Sequence, residues 1–425
     1  MPKPRKFPNV IILVVSLALI LAGCGTASSS GTTETSNGNA GKEAAGSVAG
    51  TITIGAPVAA TGSLANEGKL VHDGYTLWQN VVNKQGGLLV NGKRYQVKIN
   101  FQDDQSSANN SASLTEKMIT QDKIQLFLSP YASGNIFSAT TVAERHKVPM
   151  ISGGGGAKSI FTLGYQYVFS AYPYSGSYLG SVLDLLKTQG VRTLAFLHAD
   201  DVFSQEADQG GEDYAKSHGF DIVYSAQYPS NATDLTSQMT QLAQRSPDAL
   251  IGTGHFQEAV LLVKEAKQMN VNFKAIAFTV GPTMPSFAQN LGKDAEGILG
   301  ASLWTPDLPY KDDVFGTSKD YAQLYKQTFG GDPDYHSAMA SAAAEMMGLA
   351  IQKAGSPDPQ QVRDALAGLG TVHLFDGDFT IESNGSISGL VLPVIQIQDG
   401  KAVTVWPDSF AKNFKDFPLP AWNKR

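Results

Sequence analysis

The sequence predicts an α/β fold of two doubly wound parallel-sheet lobes, and three observations predict it. From Thr51 onward, short β-rich runs alternate with longer amphipathic patterns, the rhythm of parallel sheets covered by helices. That rhythm runs twice, with Tyr172-Pro173-Tyr174 as the break between the two sets. At 425 residues the chain can lose a leader and still supply two domains with substantial cores.

In the first set, residues 51–54 read as a strand and 63–84 as an amphipathic helix. Strands over 96–101 and 124–128 lead into helices near 107–121 and 135–146, and 148–151 closes the set. The second set opens with a helix near 177–187. Strands at 193–197, 221–224, 249–251 and 275–278 then alternate with helices near 203–217, 235–245 and 258–269. Segments 321–329 and 337–353 are helical too, the latter rich in Ala and Met as a packing surface is. From 379 to 405 the chain alternates as strands around Gly385, Gly389 and Gly400, and Pro407, Pro418 and Pro420 end regular structure.

The start of the chain has a different character. Lys3, Arg5 and Lys6 precede an apolar run over 10–20, the order of a bacterial export signal and too short to span a bilayer. The only cysteine, Cys24, ends Leu21-Ala22-Gly23-Cys24, which resembles the lipobox of bacterial lipoproteins. That resemblance implies removal of 1–23 and acylation of the Cys24 sulfur, with two or three acyl chains anchoring the mature terminus on the extracytoplasmic face of the cell membrane. Residues 24–50 are Ser, Thr, Gly, Ala and Asn with almost no large apolar side chain, so they read as a disordered tether. With Cys24 lipidated no thiol is left for a disulfide.

Composition and motifs narrow the function. A formal net charge of −6 argues against nucleic acid as a partner. There is no G-x-S-x-G elbow, Walker loop or H-E-x-x-H pair, and the seven histidines lack metal-ligand spacing. Asp103-Asp104 and Asp200-Asp201 are adjacent carboxylates at strand ends, which loop capping explains better than acid–base chemistry. No catalytic residue, metal or cofactor is expected.

Several segments resemble one family in order and spacing. They are Gly55-Ala56-Pro57-Val58-Ala59-Ala60-Thr61-Gly62, Gly74-Tyr75-Thr76-Leu77 through Asn83-Lys84-Gln85-Gly86-Gly87, and Asp103-Asp104-Gln105-Ser106. Ser129-Pro130-Tyr131-Ala132-Ser133-Gly134, Pro149-Met150-Ile151-Ser152, Pro247-Asp248-Ala249-Leu250 and Ala295-Glu296-Gly297-Ile298 complete them. Together they resemble the type I periplasmic binding proteins, in the leucine/isoleucine/valine-binding group of ABC-transporter solute receptors. The resemblance implies two lobes joined by three crossovers, near 169–174, 302–306 and 381–390, closing on a small ligand. Lobe 1 would be 51–172 plus 304–380, lobe 2 would be 173–303 plus 381–405, and 406–425 a C-terminal tail. It also implies a monomer that hands an amino acid, of branched-chain type, or another small carboxylate such as an aromatic acid to an ABC permease. A ligand-sensing receptor subunit of a signalling system is the alternative.

The candidate site follows from strand ends. Ligands of open α/β sheets bind beyond the carboxyl ends of strands, where backbone N–H groups and helix N-termini receive an anion. Ser129–Gly134 and the loop Ser152-Gly153-Gly154-Gly155-Gly156 meet that description. By resemblance, Ser133, Gly155 and Gly156 hold a ligand's α-carboxylate and α-ammonium, although Gly156 stands where amino-acid binders carry threonine. Val280 falls where an acid pairs with the ammonium. An unpaired buried cation is costly, so Val280 favours a carboxylate without an ammonium, its body resting on aromatic surface. Glu67 is the replacement counter-ion if the ligand is cationic, or else an acid suited to its helix dipole. Phe203 and His255 would flank the ligand from lobe 2, with core packing and helix capping as their alternatives. Tyr131, Tyr174 and Trp304 would add aromatic walls.

Overall fold

A computed structural model describes residues 48–425. The leader, Cys24 and the tether up to residue 47 lie outside the described residues. Strand β1 (Val48–Val58) begins within the stretch expected as tether, because pairing with β3 orders it: Val48 lies opposite Arg94 and Val58 opposite Asp103. Helix α1 (Ala65–Lys84), the hairpin β2 (Leu88–Val90) and β3 (Lys93–Asp103), and helix α2 (Ala108–Thr120) follow. Then come β4 (Phe127–Leu128), α3 (Ser133–His146), β5 (Met150–Ser152) and β6 (Val168–Ser170). These strands make one sheet in the order β2-β3-β1-β4-β5-β6, parallel except for β2. β4 is shorter than the apolar run over 124–128 suggests, since only Phe127 and Leu128 meet their neighbours' ladders.

The second sheet starts after helix α4 (Gly180–Thr188). Strands β7 (Thr193–Ala199), β8 (Asp221–Tyr228), β9 (Ala249–Thr253), β10 (Ala275–Phe278) and β11 (Leu299–Ala301) alternate with α5 (Val202–Ser217), α6 (Thr236–Arg245), α7 (Phe256–Gln268) and α8 (Pro285–Leu291). The chain then returns to the first sheet's side through a short hairpin, β12 (Lys311–Asp312) and β13 (Gly316–Thr317), and helices α9 (Ser318–Phe329), α10 (Tyr335–Ala354) and α11 (Pro359–Ala367). A three-stranded sheet, β14 (Thr371–Leu374), β15 (Gly377–Ile381) and β16 (Ile387–Ser388), precedes a last pass back. There β17 (Val394–Gln398) and β18 (Lys401–Trp406) add antiparallel to β11, giving the order β18-β17-β11-β10-β9-β7-β8. The chain therefore passes between the two sheets three times.

The Ala- and Met-rich helix α10 is core, as its composition indicates. It buries Ala338, Met339, Ala342, Met346 and Met347 completely and packs on α1. The approach is so close that a Cβ on Gly74 would lie 2.2 Å from the Ser337 carbonyl oxygen, so only glycine fits there. Helix α11 adds to the helices expected above, and its start is well signed: Pro359 follows Asp358, whose side chain accepts from the Gln361 N–H at 3.0 Å.

Candidate functional site

Both sheets point their carboxyl ends at one cleft. In the first, strand order reverses beside β1 and β4, and in the second beside β7 and β9, which places the following loops at the topological switch points. The loops after β4 and β5 are stitched together: the Gly153 N–H donates to Ser129 Oγ at 3.1 Å and the Ala132 N–H to the Gly154 carbonyl at 3.2 Å. Ser133 opens α3, and its Oγ accepts from the Ala157 N–H at 3.2 Å. Ala132, the residue before it, holds φ = 70°, a strained value for a residue with a side chain and of a kind that collects at ligand sites.

The glycine loop is bare for a steric reason. A Cβ on Gly156 would lie 2.1 Å from the Pro173 carbonyl oxygen, in the first crossover segment. No threonine hydroxyl can occupy this position without moving that backbone. Gly156 therefore shapes the loop and is not among the residues that line the cavity.

From the second sheet come Asp201, Phe203, His255 and Val280, in the loops or first turns after β7, β9 and β10. Asp201 caps α5, accepting from the Ser204 N–H at 3.2 Å. His255 precedes α7, and its N–H donates to Glu258 Oε2 at 3.1 Å. The His255 ring is clamped between a carboxylate and a phenol: Nε2 lies 3.4 Å from Asp201 Oδ1, and Nδ1 lies 3.1 Å from the Tyr131 hydroxyl of the other lobe. Burial pulls the imidazole pKa down, but the Asp201 charge and hydrogen bond, with Glu258 and Glu67 behind them, outweigh it and raise it to about 9. The reciprocal effect acts on Asp201, where burial opposes ionisation but the His255 charge prevails and holds the carboxyl well below its usual range. That balance favours the protonated imidazole at neutral pH, paired with the Asp201 carboxylate.

Around it the lobes enclose a cavity of about 10 Å³, roughly the space of one water. Its wall is mostly rings: Tyr131, Tyr172, Tyr178, Phe203 and Tyr335, with the imidazoles of His255 and His336. Tyr178 meets Phe203 edge-on at 5.4 Å and Tyr131 meets His336 at 5.3 Å, in the geometry aromatic pairs prefer. Burial raises the Tyr131 and Tyr172 phenols well above their ordinary values, so both remain protonated donors. The Tyr172 hydroxyl and His336 Nε2 are buried with no hydrogen-bond partner.

Of the residues singled out in the sequence, Tyr131, Ser133, Gly155, Phe203, His255 and Val280 line this cavity. Glu67 stands beside it, 1 % exposed, its Oε1 accepting from the Phe256 N–H across the cleft. Two expected aromatic walls lie elsewhere. Tyr174 packs on Phe161, with its hydroxyl accepting from Asn384 at 3.0 Å, and Trp304 packs on Tyr321 at 5.3 Å on the hinge side of the molecule. Tyr172, Tyr178, Tyr335 and His336 were missed. The Asp334 cap that starts α10 was a signal for the last two, since it accepts from the His336 N–H at 3.0 Å and fixes the first turn at the cleft.

Glu206 of α5 adds a closing contact at the cleft edge, accepting from the N–H groups of Lys158 and Ser159 and from Ser175 Oγ. Among the described residues no group of three His, Cys, Asp or Glu side chains is placed to hold a metal ion, and no helix is long and apolar enough to cross a membrane.

The family model for periplasmic binding proteins matches residues 51–401. Leu/Ile/Val-binding protein homolog 8 of Brucella abortus is 23% identical over 385 residues, covering 85% of this chain and 91% of that protein. Among solved structures, a leucine-binding protein from Thermotoga maritima superposes with a TM-score of 0.75 at 19% identity, covering 83% of this chain and 97% of that one. A solute-binding protein of an ABC transporter from R. palustris, in complex with benzoate, superposes with a TM-score of 0.72 at 17% identity, covering 84% and 95%. At these identities the structural likeness is one of fold.

Proposed function

The chain belongs to the periplasmic binding proteins, a family of extracytoplasmic solute receptors and not of enzymes, and from that premise we propose that it is the solute-binding lipoprotein of an ABC importer whose ligand is a small carboxylate with an aromatic body. One observation carries the ligand class: Ser133, His255 and Val280 line one buried, ring-walled cavity, and by the family resemblance apolar Val280 stands where an amino acid's ammonium would need an acid. The closed cavity holds about one water, so the lobes would part to admit a carboxylate, which Ser133 Oγ and the Gly155 backbone would receive beside His255 while the ring wall flanks a flat apolar body. The fold itself accommodates either class of ligand, since it is shared with a leucine-binding protein and with a solute-binding protein in complex with benzoate.

Ligand would act by population shift, binding the closed form more tightly so that closure presents both lobe faces to the permease. The closing bodies are 51–172 with 304–380 and 173–303 with 381–405. Acylation at Cys24 and the tether after it would keep the receptor near its permease by raising effective concentration.

A second reading, an amino acid of branched-chain type, rests on Glu67. Its Oε2 is buried without a partner and could take an ammonium. Thermal shift followed by calorimetric titration with benzoate, phenylacetate, short diacids and leucine separates the two, because a true ligand stabilises by mass action. Benzoate-type acids are expected to raise the melting temperature, and Ser133→Ala to weaken them about tenfold, the loss of one charge-assisted hydrogen bond. A response to leucine alone overturns the carboxylate reading in favour of the second.

A further inference from the structure

Behind the ligand cavity, on the hinge side, the two lobes enclose a second and larger cleft of about 230 Å³. Its floor is apolar: Met284, Pro285, Ala288, Trp304, Ile395 and Ile397 line it. Exposed Lys401, Lys412 and Asp332 stand at its rim. Of all the residues lining the two cavities, Tyr335 alone belongs to both. It therefore borders both a space of about 10 Å³ and one of about 230 Å³.

The ring is buried, but its polar end is only lightly fastened. The Tyr335 hydroxyl is buried, yet its one hydrogen-bond contact is the Thr279 carbonyl oxygen at 3.5 Å, well beyond the 2.5–3.0 Å usual for a hydroxyl donor. The ring is held by stacking on His336, with centroids 4.0 Å apart, and not by its polar end. Tyr335 is the first residue of α10, so its side chain can turn without breaking an internal helical turn.

We propose that Tyr335 is a gate that sets ligand length: its side chain swings aside to join the two cavities, and the site takes carboxylates whose apolar part extends past a single ring into the hinge cleft. This rests on the carboxylate head-group reading above for the identity of the anchored end. The apolar floor of the hinge cleft suits an aryl or alkyl distal part, and the unpartnered Trp304 Nε1 and Thr305 Oγ1 on its wall could receive one polar substituent. A ligand filling both spaces would also bridge the lobes beside the crossovers.

Titration of the full mature chain with benzoate and with biphenyl-4-carboxylate tests the gate. The wild type is expected to bind the biphenyl acid at least as tightly as benzoate. Ala288→Phe, which fills the hinge cleft far from the head group, should weaken the biphenyl acid tenfold or more and leave benzoate unchanged. Tyr335→Ala, which removes the gate side chain, should shift the preference further toward the biphenyl acid. Equal effects of Ala288→Phe on both acids, or no length preference in Tyr335→Ala, overturns the proposal. If neither acid binds and leucine does, the head-group reading has failed. The same comparison with leucine and 4-phenylphenylalanine then decides the gate separately.

Discussion

The Glu67 carboxylate accepts a hydrogen bond from the backbone amide of Phe256 at 2.9 Å, so an acid in the first turn of α1 caps the first turn of α7 across the ligand cleft. The contact joins a negative charge to the positive end of a helix dipole, and both groups are buried. Glu67 and Phe256 follow strands of different sheets, so a hinge opening that separates the sheets would break the contact and link it to ligand affinity through closure.

Glu67→Ala should therefore weaken binding about tenfold, since a charge-assisted hydrogen bond contributes about 1.5–3 kcal/mol and part of that is recovered by water in the open form. Glu67→Gln keeps an acceptor oxygen but no charge, and should fall between. Calorimetry gives the affinities, and the radius of gyration from small-angle scattering at saturating ligand reports closure. Full affinity in Glu67→Ala would show that the contact is incidental to closure.

His255 gives the binding site a pH profile. Its pKa is raised to about 9 because Asp201, Glu258 and Glu67 outweigh the effect of burial. A histidine raised above its unfolded value contributes stability that is complete below about pH 6.5 and is lost as pH rises through about 9. Carboxylate affinity should accordingly be flat from pH 6 to 8 and then fall, by about tenfold per unit well above pH 9. His255→Gln should bind more weakly and show no such fall. A wild-type profile that declines near pH 6.5 instead would mean that Asp201 does not sustain the charge.

Much of this arrangement was legible in the sequence because it depends on strand ends. Ser133, Gly155, Phe203, His255 and Val280 each follow a β-rich run, and a parallel sheet brings the ends of such runs to one edge. The residues that escaped notice reach the cleft by other routes. Tyr172 and Tyr178 lie in and after the first crossover, and Tyr335 and His336 sit on a helix whose position is set by packing on α1. Trp304 lines the hinge cleft instead of the smaller ring-walled cavity. It lies near a crossover, but Tyr321 and Phe375 offer its indole a buried aromatic surface, and it turns toward them.

Gly156 permits a test of whether the missing threonine hydroxyl was lost or excluded. A side chain there meets the Pro173 carbonyl oxygen at 2.1 Å, which backbone movement alone can relieve. Gly156→Thr should thus lower the melting temperature, at a cost of about 1–3 kcal/mol typical of overpacking, and confer no leucine binding. Leucine affinity appearing in an undiminished fold would refute the steric reading.

Far from the cleft, Asp376 and Glu345 make the fold itself sensitive to pH. Asp376 is fully buried with both carboxylate oxygens unpartnered, and Glu345 Oε2 is likewise without a partner. Burial, reinforced by the charge of nearby Asp312, raises both carboxyls well above their ordinary range. The folded chain then keeps protons that the unfolded chain releases above about pH 4, so stability declines as pH rises from there. Asp376→Asn cannot ionise and removes its share of that decline. The variant should melt close to the wild type at pH 4 and above it at pH 8, by about 1 °C for each kcal/mol recovered in a chain of this length. Thermal melts of both proteins across that range measure the difference. A constant gap between the two curves, or a lower melting temperature for Asp376→Asn at pH 8, would mean that the Asp376 carboxyl is not held protonated by its burial.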